Sequence, residues 1–235
     1  MTTFKTVRWS TYLFELFVVF LGVTLAFALD EWNENRRKRN IEIKTLTEIR
    51  DGLQLDQTDI QDNMSGHRRG LKACAVFRTY LRSPQPVPDS LPFYFSYLTR
   101  DFIAIQNSAA YESLKTRGLD IITNDSLRLE IVALYDFHFE IIEKLEEHYA
   151  EMQFYTLYFH PINDLMVDYL VFDERGRLTD LLPTVHLTPT DHRKLLSYLW
   201  RIEYNRRFTL IQYETLVQKL EQLMVHVTEE IERLQ

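Results

Sequence analysis

The chain has 235 residues, a formal net charge of −7, one cysteine, six glycines and seven prolines. That length holds one domain with a sizeable core, and the acidic balance argues against non-specific nucleic-acid binding. The lone Cys74 excludes an internal disulfide, and so few glycines and prolines disfavour an all-β chain rich in turns.

After a short tail (1–11) comes YLFELFVVFLGVTLAFAL, residues 12–29, almost wholly apolar with one acid, Glu15. A run of this length reads as a transmembrane helix. Trp9 and Trp32 flank it 23 residues apart, about 34 Å along a helix, which suits the aromatic belts of a bilayer. No small-residue cleavage site follows, so the run is not a removable leader. Glu15, Val19, Gly22 and Ala26 follow one another at helical steps of four and three. That stripe holds the acid and two small residues at small-xxx-small spacing, the pattern that lets spans approach closely. The sharp reading is a homo-oligomer with Glu15 facing the bundle interior; the alternative is a snorkelling acid beside small residues placed by chance.

Arg36, Arg37, Lys38 and Arg39 follow the run, against Lys5 and Arg8 before it. The positive-inside rule then gives a cytoplasmic body. With Trp9 and Trp32, these four cations are the expected lipid-headgroup contacts.

From Asp30 the helix is expected to continue as a juxtamembrane stalk (30–66), with Ile49, Leu53, Ile60 and Met64 on one stripe. Gly66 and Gly70 offer a break. Residues 71–81 are again helical in pattern, and SPQPVPDS, 83–90, is a stiff proline loop. Ser90 can cap a helix through LPFYFSYL, and a second short helix over 108–117 ends at Gly118 after Lys115 and Arg117. Asn124 or Asp125 starts a long helix carrying Leu127, Ile131, Leu134, Ile141 and Leu145 to about 159, where Pro161 interrupts it. VFDERGRL is the one plausible hairpin, turning at Gly176. Thr188-Pro189-Thr190-Asp191 is a helix start. Leu216, Leu220, Leu223, Val227, Ile231 and Leu234 then mark a heptad-like seam, short enough to belong to an antiparallel bundle.

The expected fold is therefore all-α: a single N-terminal transmembrane helix (12–29) running into a stalk, then an antiparallel helical bundle (67–235).

Chemistry-bearing residues are scattered. Glu140, Glu143, Glu147 and Glu151 share helical spacing with His148 beside them, but the paired Glu-x-x-His of di-iron bundles is missing and Lys144 is interleaved, so a solvated face explains them better than a metal. His160, Asp164 and Asp168 would stack on one side of a helix, with His160 at its boundary. His186 and His192 flank a helix start and belong to no triad. Cys74 has no CxxC partner and packs as a small apolar residue. No phosphate loop, nucleophile elbow or zinc-protease motif occurs, so no catalytic residue, metal or cofactor is expected. Aromatics such as Phe93, Tyr94, Phe95 and Tyr97 serve core packing, or a surface that meets a partner or membrane.

Two patches carry a resemblance. The apolar run ends in Trp32-Asn33-Glu34-Asn35 followed by basic residues. Farther on come Tyr111-Glu112-Ser113-Leu114-Lys115, Gly118, Ile121-Ile122, Asn124-Asp125, Leu127-Arg128 and Ile131. Together they resemble an uncharacterised, domain-of-unknown-function family of single-span bacterial envelope proteins. The resemblance implies a helical body and assigns no activity; the expected location is the cell inner membrane, crossed once, with the body on the cytoplasmic side. The functional expectation is a non-enzymatic, membrane-anchored interaction or sensor-like module. Its partners are the lipid bilayer, further copies of itself through the span, and a protein met by the helical body. The alternatives are a small oligomeric ion pathway lined by Glu15 and a metal-dependent enzyme in the body.

Overall fold

No proline occurs between Trp9 and Tyr80, and all of that stretch is one helix, α1 (Trp9–Tyr80), 72 residues and about 108 Å long. The structure, a computed structural model, describes residues 9–82 and 90–235, with side chains from Leu13 onward in the first segment. The proline loop at 83–89 lies outside the described residues. The fold is all-α apart from one hairpin.

The helix does not break at Gly66 and Gly70. A Cβ at Gly66 would overlap the Phe102 ring, and one at Gly70 the Arg206 guanidinium. These glycines allow a close approach to the α1 backbone, at roughly 1 kcal/mol of helix propensity each. Of the segment read as a stalk, 30–40 is exposed, with Asn35, Lys38 and Arg39 bordering Asp120 and Leu234 of the body, and from Glu42 onward one side of α1 is buried.

Its partner is α7 (Pro189–Leu234). The Thr188 hydroxyl accepts from the Asp191 N–H at 3.1 Å, so the expected cap forms. Cross-links run in opposite order along the two helices: Gln57 to Glu221, Arg68 to Glu214, Arg78 to Glu203. The pair is therefore antiparallel. On α7 the buried positions Leu195, Leu199, Ile202, Arg206, Thr209, Tyr213, Leu216, Leu220, Leu223 and Val227 alternate steps of four and three. This is a heptad seam with two polar members near its middle.

The shorter elements complete two apolar cores along this pair. In the core nearer the N-terminal segment, Leu46, Ile49 and Leu53 of α1 and Leu216, Leu220 and Leu223 of α7 meet α3 (Ala109–Arg117) and α4 (Asp125–Ala133). Gly118, at φ 111°, ends α3, and the Asn124 side chain accepts from the Leu127 N–H to start α4. In the farther core, Cys74 and Phe77 of α1 and Leu195, Leu199 and Ile202 of α7 pack against α2 (Leu91–Leu98) and α6 (His160–Met166). Each such side chain contributes roughly 1.5–3 kcal/mol.

After α4 the spiral widens into π turns at Leu134–Phe139, tightens over α5 (Glu140–Glu143), and widens again at Lys144–His148. It then breaks at Tyr149 and Gln153, whose ψ angles are 106° and 75°, earlier than the sequence pattern indicates. The backbone groups freed there are caught by side chains: Asn205 of α7 donates to the Glu151 carbonyl at 2.6 Å, and Gln153 donates to that of Glu146. Pro161, the expected breaker, does not interrupt the helix. A π stretch, Tyr155–Phe159, precedes it and makes room for its ring. The hairpin pairs β1 (Leu170–Phe172) with β2 (Leu178–Leu181) and turns at Gly176, φ 72°.

Candidate functional site

The residues expected to meet lipid or a second chain lie on the free end of α1. Glu15, Val19, Gly22 and Ala26 are all exposed, and nothing lies within 4 Å of a Cβ placed on Gly22. The most apolar 18-residue window has a mean hydropathy of 2.1 and none of it is buried. Trp9 opens α1. Trp32 is exposed with the Arg36 guanidinium 5.6 Å from its ring centroid. Arg37, Lys38 and Arg39 are exposed too; Lys38 pairs with Glu34 at 2.9 Å and holds that carboxyl below its usual range.

The body holds a site that the sequence did not announce. Residues 99–108 form neither helix nor strand, yet they are strapped between the two cores, so their backbone polar groups need partners. Side chains supply them. From α1, Asp56 accepts from the Asn107 N–H at 2.7 Å, Asp59 from the Ile105 N–H at 2.9 Å, and Asn63 donates to the Ile103 carbonyl at 3.2 Å. Steps of three and four on a helix cover about 5 Å, and two residues of extended chain about 6.6 Å. One face of α1 can therefore reach every second residue of a strap running against it. From the other side, Glu146 accepts from the Ala104 N–H at 2.9 Å; the strap's own Asp101 in turn accepts from the Phe154 N–H at 2.8 Å.

Arg206 closes the strap's first end. It is fully buried, and one nitrogen donates to the carbonyls of Tyr97, Leu98 and Arg100 at 3.3, 3.2 and 2.8 Å. Its guanidinium lies 4.1 Å from the Phe154 ring centroid and 5.5 Å from that of Phe102. A buried cation without a carboxylate in contact is thus held by carbonyl dipoles and aromatic faces. A second nitrogen donates to His67 Nδ1 at 3.2 Å. Burial, then the Arg206 charge, push the His67 pKa down to about 3, so the ring is neutral and its Nδ1 is free to accept.

Glu146 is the counterpart. Burial pushes its pKa up to about 7, against the Tyr213 hydroxyl and the Ala104 N–H that both donate to it. It sits among the exposed Glu143 and Glu147, which share its helix but not its burial. Burial also raises Asp56 and Asp101, with the nearby Asp59 adding to the shift of Asp56.

Glu140, Glu143, Glu147, Glu151, His148, His160, Asp168 and His186 are exposed. Among the described residues no three His, Cys, Asp or Glu side chains gather as a metal would need. Cys74 is buried in the farther core, where burial raises its thiol to about 12, so it packs rather than reacts. The signal that could have found Arg206 was its place on the apolar seam of α7; Asp56 and His67 lie on the matching stripe of α1. Compared with models of protein families, with curated proteins and with solved structures, the chain gives no match.

Proposed function

We propose that the chain is a single-span protein of the bacterial inner membrane, a non-enzymatic interaction or sensor-like module whose helical body stands on the cytoplasmic side. One observation carries the reading: 13–29 is the most apolar part of α1 and buries nothing. Over 17 residues that leaves about 25 Å of apolar helix with no protein to cover it, and hydrocarbon is the medium that suits it. Trp32 and the cations at 36–39 then lie at headgroup depth.

Phase supports self-association through Glu15, Val19, Gly22 and Ala26. At 3.6 residues per turn, this stripe falls on roughly the opposite side of α1 from Leu46, Ile49, Leu53 and Ile60, which hold the body. Two copies can pair along the span while their bodies point away from each other. Replacing Glu15 by Leu is expected to change the cross-linked oligomer in detergent; an unchanged ladder counts against pairing on this face. A reporter fused to the C-terminus reads the orientation, with cytoplasmic activity expected.

A further inference from the structure

The side of α7 that faces away from the seam carries a second stripe. Trp200, Tyr204, Arg207 and Ile211 follow one another at steps of four, three and four, with Phe208 alongside, over about 16 Å of helix. At 3.6 residues per turn they lie roughly opposite the buried Leu199, Ile202, Arg206 and Thr209. Trp200, Tyr204 and Ile211 are each more than half exposed, and Phe208 is 40% exposed. The Trp200 and Tyr204 ring centroids are 6.0 Å apart, and the Arg201 guanidinium lies 5.4 Å from the Trp200 centroid. Trp200, Tyr204 and Arg207 also border an open hollow of about 500 Å³, whose other wall is Arg78 of α1 and Arg82 just past its end. Glu203 is the one acid among the described residues that line it, reached by Arg78 at 2.6 Å and by Arg207 at 2.8 Å. Three arginines against one glutamate leave a positive surplus there, on a chain whose formal net charge is −7.

We infer that this face docks an acidic amphipathic helix of another protein, its apolar side on Trp200, Tyr204 and Ile211 and its carboxylates against Arg78, Arg82 and Arg207. The inference rests on the interaction reading above and gives it a surface. Alternating steps of four and three are what a partner helix packs into, and Trp, Tyr and Arg are the residues that carry most of the energy of an interface. Arg207, within the stripe itself, asks for a carboxylate opposite it. Lipid does not suit the face. Arg78 stands 46 residues past Trp32 on α1, about 69 Å along the helix, and a tilt of about 40° still leaves about 50 Å. A second copy does not suit it either, because a two-fold contact sets the arginine surplus of one chain against that of the other.

The test is fluorescence anisotropy with the full chain in phosphatidylcholine nanodiscs, empty discs serving as the blank. The probe is a fluorescein-labelled helical peptide with leucine at heptad spacing and glutamate on its flanks. The comparison titrants are the same peptide with lysine for every glutamate and a labelled oligouridine RNA. Saturable binding of the acidic peptide is expected, with none of the basic peptide or the RNA. Trp200→Ala should weaken it about tenfold, and Arg82→Glu and Arg207→Glu, both at exposed positions, about fivefold each. Val225→Ala, at an exposed apolar position farther along α7, should leave it unchanged. No saturable binding of the acidic peptide, equal affinity in Trp200→Ala and the parent, an equal loss in Val225→Ala, or equal binding of the basic peptide would overturn the proposal. Trp200-dependent binding of the RNA in place of the peptide, or a cross-linked ladder lost in Trp200→Ala, would overturn the class of partner. Glu15→Leu, which tests pairing of the spans, should bind the peptide as the parent does, so a failure of this face and a failure of the span are read apart.

Discussion

The two halves of α1 use hydrophobicity in opposite ways. Residues 13–29 are nearly all apolar and exposed, whereas 42–80 mix acids, amides and a histidine with apolar residues and hold the body together. Apolar content therefore does not decide what is buried in protein; periodicity does. The second half repeats apolar residues at steps of three and four that match α7, while the first is apolar almost all round and packs against none of the other described residues. A helix apolar all round needs a surrounding apolar medium.

The comparison breaks most sharply at the polar members of the seam. Arg206→Ala should destabilise the body by about 4 kcal/mol, since the Tyr97, Leu98 and Arg100 carbonyls and His67 all lose their donor. Chemical denaturation of the full chain in detergent reads this; a loss under about 1 kcal/mol would mean that the strap is held by other contacts.

Truncation of leucines tests the contrast directly. Leu53, with no exposed surface, should cost about 3 kcal/mol as alanine. Leu16, 66% exposed, should leave the unfolding of the body within about 0.5 kcal/mol of the parent.

Glu146 sharpens the comparison through pH. Its folded pKa of about 7 lies above the ordinary 4.5, so the native state binds the extra proton between those values. Stability from this group is complete below pH 4.5 and is lost as pH rises through 7, by on the order of 3 kcal/mol. His67 opposes it: with a folded pKa near 3, below the ordinary 6.5, it contributes stability above pH 6.5 that is lost as pH falls toward 3. The two slopes offset each other between pH 4.5 and 6.5. Glu146→Gln should therefore gain on the parent as pH rises from 4.5 to 8, in melts followed by circular dichroism. A constant difference would show that Glu146 is ionised throughout.

The smallest loss expected from a substitution within the body is at Asn124, which caps α4 and also donates to Glu230 at 3.0 Å. Asn124→Ala should cost about 1 kcal/mol in the same melts.

What could be read along the chain was whatever neighbouring residues settle among themselves. Thr188, Asn124 and Gly118 bound their helices as the sequence indicates, Gly176 turns the hairpin, and Leu216, Leu220, Leu223 and Val227 lie in the seam. What could not be read depends on partners far along the chain. Gly66 and Gly70 look like breakers until Phe102 and Arg206 lie against them. Pro161 looks like a stop until a π turn absorbs it. Glu146 looks like its exposed neighbours until Tyr213, on α7, donates to it. Residues 99–108 carry no periodic pattern because side chains of α1, α7 and the widened helix satisfy their backbone.

The central claim is that residues 13–29 sit in lipid while the body stays in water. Alkaline carbonate extraction of membranes from cells making the full chain tests it most directly. The chain should remain in the pellet and leave it only with detergent. Its recovery in the carbonate supernatant, or in the soluble fraction after lysis, would contradict the account.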